Sequence, residues 1–233
     1  MLPMRLLVLA ALTLGAVACG GGGGISMPRP VAFAPMPVDS AVRWAAGTVP
    51  TGSREIRFRW QFQDDQGAAG GRGRVRFAGP DSARLDVQGP LGSGRAAAFV
   101  RGDTAVWAEP ASEIERLVPN YPLFWALLGI VREPAPGVEV RGHRDETMVA
   151  WQWNLGADTI DYVRMAGERP RLIAEVRQGG KRIAAVETSF DAEGLPATAR
   201  LHVPSVPARL DITFSSNSKA TTFAPDTWIP PRS

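Results

Sequence analysis

From Arg54 onward apolar and polar residues alternate strictly: Ile56, Phe58, Trp60 and Phe62 fall on one face, Arg57, Arg59 and Gln61 on the other. A period of two marks a half-buried strand, one face against a core and one toward water. Asp64 to Gly71 reads as a Gly-rich turn, after which Val75 and Phe77 alternate with Arg74 and Arg76. Gly79-Pro80-Asp81 turns the chain again, and Leu85 and Val87 then alternate with Arg84, Asp86 and Gln88. Two more strands are expected near 95–100 and 104–108, divided by Gly102-Asp103. Strands this short, separated by Gly, Pro and Asp, are successive hairpins.

The pattern then breaks. Ser112 and Glu115 have the Ser-x-x-Glu spacing of a capping box, which predicts a short helix starting at Ser112. Asn120-Tyr121-Pro122 opens a second helix over 123–130, apolar nearly all round and therefore buried or interfacial, too short to span a bilayer. Alternation resumes after Pro136, with strands expected near 138–142, 147–154, 159–166, 171–178, 181–190, 197–203 and 209–215. Turns such as Gly179-Gly180 and Glu193-Gly194 give the spacing of an all-β barrel or sandwich. No internal repeat is visible, and no linker divides this region.

The N-terminal part has another character. Met1 to Arg5 is positively charged, 6–15 is apolar, and Ala16-Val17-Ala18 precedes Cys19, the only cysteine. This is the layout of a secretory signal with a small-residue cleavage site. The cysteine directly after that site resembles a bacterial lipobox, in which the thiol is diacylated and the new amino terminus is acylated after cleavage. Several acyl chains anchor a protein stably where one does not. Gly20 stands where an inner-membrane retention signal carries Asp, so the resemblance implies the outer membrane. Gly20 to Gly24, followed by Ser26, Pro28, Pro30, Pro35 and Pro37, reads as a tether without helix or sheet ladder. The expected organisation is a signal at 1–18, an acylated Cys and tether at 19–50, and one domain at 51–233.

Composition adds mainly exclusions. A net charge of +3 over 233 residues, with Lys only at 181 and 219, does not point to nucleic acid. One cysteine rules out an intrachain disulfide and a CxxC site. His143 and His202 lie on separate expected strands without an HExxH pattern, so no metal site is expected. There is no Gly-x-Ser-x-Gly elbow and no phosphate-binding loop, and no catalytic residue or cofactor is expected. Asp64-Asp65 and the pair Asp158 and Asp161 are read as solvated turn formers. Arg57, Arg59, Arg72, Arg74 and Arg76 crowd two polar strand faces; a solvated outer face is the simpler reading, a surface for anionic lipid headgroups the other.

The run Arg84-Leu85-Asp86-Val87-Gln88-Gly89-Pro90-Leu91-Gly92-Ser93 ends a strand in Pro-Leu-Gly-Ser. In this it resembles LolB-like outer-membrane lipoproteins of the LolA/LolB lipoprotein-carrier family. Three further segments follow in that family's order: 121–129 is similar to its Pro-Leu-x-x-Leu-x-x-Trp-x-x-Gly region with the Trp displaced, 196–203 to the strand after its Leu-Pro turn, and Asp226-Thr227-Trp228-Ile229-Pro230 to its terminal Asn-Trp-Ile.

The resemblance implies a mainly β fold: a single unclosed antiparallel β-barrel of about 11 strands, with short helices covering one mouth and an apolar cavity for acyl chains. It also implies a projecting loop, Pro90, Leu91, Gly92 and Ser93, whose Leu91 touches the membrane. The expected cavity wall is Trp60, Trp107, Trp151 and Trp153, with Phe124, Trp125 and Leu128 as the lid, although core packing is the simpler role for any single one of these. The implied function is that of a monomeric, lipid-anchored, periplasm-facing protein. It accepts acylated lipoproteins from a LolA-like periplasmic carrier and inserts them into the outer membrane. The alternative is a lipid-binding or envelope-interaction lipoprotein that transfers nothing.

Overall fold

The computed structural model describes residues 24–30, 32–90, 94–117, 120–205 and 207–230. The N-terminal signal and Cys19, and Leu91, Gly92 and Ser93 of the expected loop, lie outside the described residues. The strands are β1 Ala34–Pro35, β2 Ser53–Asp64, β3 Gly67–Ala78, β4 Ser82–Gln88, β5 Arg95–Arg101, β6 Thr104–Glu109, β7 Val140–Arg144, β8 Met148–Leu155, β9 Asp158–Met165, β10 Arg171–Gln178, β11 Lys181–Phe190, β12 Pro196–Val203 and β13 Ala208–Ala220. Among the described residues three short α-helices accompany them: α1 Val38–Ala46, α2 Ala111–Leu117 and α3 Tyr121–Leu127.

All thirteen strands belong to one antiparallel sheet in the order β1-β7-β8-β9-β10-β11-β12-β13-β2-β3-β4-β5-β6. Consecutive hairpins build two runs, β7 to β13 and β2 to β6, and the ladder between β13 and β2 joins them, setting Phe214 opposite Phe58 and Ile212 opposite Trp60. The edges β1 and β6 stay apart, so the sheet curves without closing. One face of each strand supplies the core, as the alternation of β2 requires: Ile56, Phe58, Trp60 and Phe62 are buried between exposed Arg57, Arg59, Gln61 and Gln63.

The concave side is filled by helices. α3 packs on β10, β11 and β12. It begins as the sequence predicts, with Asn120 Oδ1 accepting from the Leu123 amide at 3.4 Å and a proline in the first turn. It ends at Leu127 in a Schellman arrangement: the Ile130 amide donates to the Trp125 carbonyl and the Gly129 amide to the Ala126 carbonyl, both at 2.9 Å. Gly129 sits at φ +76, and a Cβ there would lie 2.7 Å from the Phe190 ring, so the position needs glycine twice over. The expected start of α2 shifts. The helix already includes Ala111, and Ser112 lies inside the first turn instead of capping it.

The expected tether at 19–50 is overturned over much of its described part. α1 buries Ala41 and Ala45, one turn apart, and brings Trp44 to 6.2 Å from Trp151 and 6.4 Å from Tyr162. Pro35, expected to bar a ladder, joins β1, where Ala34 and Pro35 pair with Gly142 and Arg141 on an edge. An edge strand leaves one side of its backbone unpaired, so a missing N–H is tolerated there. The chain before β1 crosses the outer face, where Ile25 and Met27 bury against Ala150, Val163, Ile173 and Ala185. Arg182 fixes it by donating to the Ile25 carbonyl at 2.9 Å.

Candidate functional site

The inner faces of β13, β2, β3 and β4 lie next along the sheet from β10, β11 and β12, on which α3 packs. Here the sheet and the helices leave a cavity of about 30 Å³, lined by Phe58, Trp60, Val75, Leu85, Val87, Leu210, Ile212 and Phe214 from the sheet and by Leu117, Phe124, Leu127 and Leu128 from the helical region. Every lining residue is apolar. Apolar cavities of this kind stay dry and accept apolar guests, but 30 Å³ is about one water's share of the liquid. An acyl chain therefore requires α2 and α3 to withdraw from the sheet.

The wall is shaped by one close approach. Gly73 faces Phe58 across the β2–β3 ladder, and a Cβ at Gly73 would lie 2.2 Å from the Phe58 ring. The absent side chain lets that ring lie flat on β3 and fill space beside the cavity. Trp60 is held by its indole N–H, which donates to the Arg72 carbonyl at 3.2 Å.

Three of the seven expected cavity residues, Trp60, Phe124 and Leu128, meet at this site. Trp125 is fully buried beside it, donating to the Gly102 carbonyl at 2.7 Å and meeting Phe77 edge-on at 6.2 Å. Trp151 and Trp153 are buried too, but among α1 and β9, with Trp153 5.2 Å from Tyr162. Burial drives the Tyr162 hydroxyl far above its ordinary pKa. Trp107 lies on the outer face and donates to the Trp228 carbonyl at 2.9 Å. Nine lining residues were not expected from sequence: Phe58, Val75, Leu85, Val87, Leu117, Leu127, Leu210, Ile212 and Phe214. Alternation already pointed Phe58, Leu210 and Ile212 inward; nothing local distinguished a void from packed core.

The outer face of the same strands is charged. Arg57 pairs with Glu55 at 2.8 Å, and Arg76 and Arg84 pair with Asp86 at 3.2 and 3.0 Å. Partial burial, then the neighbouring Arg74, lowers the pKa of Arg76. The C-terminal segment crosses this face: a 3₁₀ turn at Pro225–Trp228 sets Trp228 5.2 Å from Phe99, and Arg84 donates to the Thr227 and Ile229 carbonyls at 2.8 and 3.1 Å. Beside it lies an open groove along β2 to β5. At this end of the sheet Pro90 is exposed, and the Gly89 amide donates to the Gly94 carbonyl at 3.1 Å.

The carboxylates behave as structural groups. Asp64 accepts from the amides of Gln66 and Gly67 at 3.0 and 3.1 Å, organising its turn as expected. Asp158 accepts from Gln178 at 3.0 Å. Asp161 departs from expectation: it is buried in mid-strand, accepts from Gln152 at 2.6 Å and pairs with Arg177 at 3.0 Å. Burial raises its pKa. Glu175, also buried, pairs with Arg177 and Arg182 beneath the N-terminal segment. Among the described residues no group of three His, Cys, Asp or Glu is placed to hold a metal, and no helix is long and apolar enough to cross a membrane.

No protein-family model and no curated protein matches this sequence. The fold does have solved counterparts. A LolA superfamily protein from Nitrosomonas europaea superposes with a TM-score of 0.56 at 13% identity, over 80% of this chain and 95% of that one. A domain assigned to outer membrane lipoprotein sorting, from Vibrio parahaemolyticus, gives 0.55 at 9% identity, over 82% and 97%. The unclosed antiparallel sheet with its short helices is thus a LolA-like fold.

Proposed function

We propose that this chain is a lipid-anchored envelope protein whose curved sheet binds acyl chains beneath α2 and α3, taking acylated lipoproteins from a periplasmic carrier and delivering them to the outer membrane. The observation that carries the reading is the wholly apolar cavity between the β13–β4 inner face and the helices. The LolA-like fold and the lipobox-like Cys19 support it.

The energetics explain why such a protein is needed. At about 0.8 kcal/mol per buried methylene, exposing the several acyl chains of a lipoprotein to water costs tens of kcal/mol. Cargo must pass from one apolar enclosure to the next. The enclosure here is nearly filled by its own side chains. Its lid is two short helices whose apolar faces reseal against the sheet when no chain is bound, and an entering chain replaces those contacts with its own. Leu91, between Pro90 and Gly92, is proposed as the tip that disturbs the leaflet.

The test is titration of the full chain with a fluorescent fatty acid, beside a Phe124→Asp variant. The native chain should bind and the variant should bind at least ten-fold more weakly; a native chain that binds nothing ends the reading. Transfer is tested separately. Leu91→Glu should keep acyl binding and lose lipoprotein insertion into the outer membrane. The small volume of the cavity favours a second reading, acyl binding without transfer. Lipoproteins that still reach the outer membrane after depletion of this protein would select it.

A further inference from the structure

The groove on the outer face of β2 to β5, back to back with the apolar cavity, plays no part in acyl binding. It encloses about 1050 Å³ and is lined by six arginines against two carboxylates, Asp86 and Glu109. That concentration stands out in a chain whose net charge is only +3.

The arginines fall into two sets. Arg57, Arg74 and Arg84 lie within 4 Å of Glu55 or Asp86. Arg59, Arg72 and Arg95 are exposed, and among the described residues none has an acidic partner. Register places these three in one row: Arg59 opposite Arg72, Arg72 opposite Gln88, and Gln88 opposite Arg95. At about 4.8 Å between strands the row spans roughly 14 Å. Like charges directly opposite each other destabilise a sheet, so Arg59 beside Arg72 carries a cost that an external anion removes. Guanidinium forks fit phosphate oxygens in bidentate fashion.

We propose that this row docks the protein on an anionic phospholipid surface, the guanidinium groups of Arg59, Arg72 and Arg95 receiving headgroup phosphates. Two observations favour a bilayer over other polyanions. Gln88 and Arg95 directly flank the β4–β5 connection, so the row sits beside the exposed end of the sheet at Pro90. The groove also presents no aromatic ring for base stacking, since Phe58 turns its ring inward to the core, which disfavours single-stranded nucleic acid. The inference rests on the reading that the chain works at a membrane. It adds the surface that orients it there.

The test is flotation of the full chain with phosphatidylcholine vesicles, with and without phosphatidylglycerol. The readout is the ratio of the two partition coefficients, which cancels any contribution of the apolar N-terminal run. An arginine near an anionic surface is worth about five-fold in partitioning, so Arg59→Gln, Arg72→Gln and Arg95→Gln together should lower the ratio about a hundred-fold. The control removes the same charge from exposed positions elsewhere, Arg43→Gln, Arg144→Gln and Arg169→Gln, and should change it by no more than a few-fold. A thermal melt checks that both triples fold. An unchanged ratio in the first triple, an equal loss in the control, or inorganic phosphate displacing the native chain from vesicles at low concentration would each overturn the proposal, the last in favour of a small-anion site. Fatty-acid titration of the first triple keeps the two readings apart. Lost vesicle preference with intact acyl binding supports the row. A native chain that prefers anionic vesicles but binds no fatty acid refutes the cavity and leaves the row standing.

Discussion

The Thr188 hydroxyl, on β11, donates to the Ala126 carbonyl of α3 at 2.7 Å, both groups buried. That carbonyl already accepts from the Gly129 amide in the turn that ends the helix, and here the sheet supplies a second donor. The bond fastens the lid helix to the wall it must leave if an acyl chain is to enter.

Replacing Thr188 with Val keeps the shape and removes one of the carbonyl's two donors, leaving the Gly129 amide, which should cost about 0.5–1.5 kcal/mol of stability. If α3 opens as proposed, the closed state loses that amount and the open state loses nothing, so fatty-acid affinity should rise as the melting temperature falls. Lower stability with unchanged affinity would show that α3 does not move during binding.

Gly129→Ala tests the turn that ends the same helix. A left-handed residue bearing a Cβ costs about 1 kcal/mol, and contact with the Phe190 ring at 2.7 Å adds strain, so a loss of about 2–3 kcal/mol in denaturant unfolding is expected. A loss below about 0.5 kcal/mol would mean that Phe190 yields freely.

Much of the sheet was legible because its strands have one wet face: Ile56 to Phe62 announced both the strand and its inner side. The joint between the two hairpin runs was not legible, because Phe58 and Phe214 are adjacent only through a ladder that spans most of the chain. The N-terminal region misled for a different reason. Its prolines sit where proline does little harm, Pro35 on an edge and Pro37 directly before α1, and the helix signals that follow, Asp39 in the first turn and Gly47 after the last, are weak beside so much Gly and Pro. For the site, sequence could say which residues face inward. It could not say that α1 would fill the half of the interior lined by Trp151 and Trp153.

Asp145 gives a pH prediction. Hydrogen bonds from His143, then from the Thr147 side chain and amide and the Met148 amide, hold its carboxyl well below the ordinary range. An acid whose folded pKa is depressed stabilises the fold above its unfolded pKa and loses that contribution as pH falls toward the folded value. Thermal melts should therefore show the native chain losing stability progressively below about pH 4, while Asp145→Asn, less stable near neutrality, converges with it at acid pH. A gap that stays constant across the titration would remove Asp145 as its source.

Leu128→Ala separates a lid from ordinary core. Leu128 is 5% exposed and lines the cavity, so truncation should cost about 2–5 kcal/mol, as for other buried leucines, and enlarge the void at the contact between α3 and the sheet. An enlarged dry cavity admits small apolar guests, and benzene should raise the variant's melting temperature more than that of the native chain. Ile160 provides the comparison: it is fully buried on the inner face of β9, away from the cavity lining and from β10, β11 and β12, on which α3 packs. Ile160→Ala should cost a similar amount of stability, yet fatty-acid affinity should rise only for Leu128→Ala, because only there does the truncation weaken the contact an acyl chain must displace. Equal responses from the two variants would mean that acyl chains bind wherever the interior is loosened, and that α3 is core and not a lid.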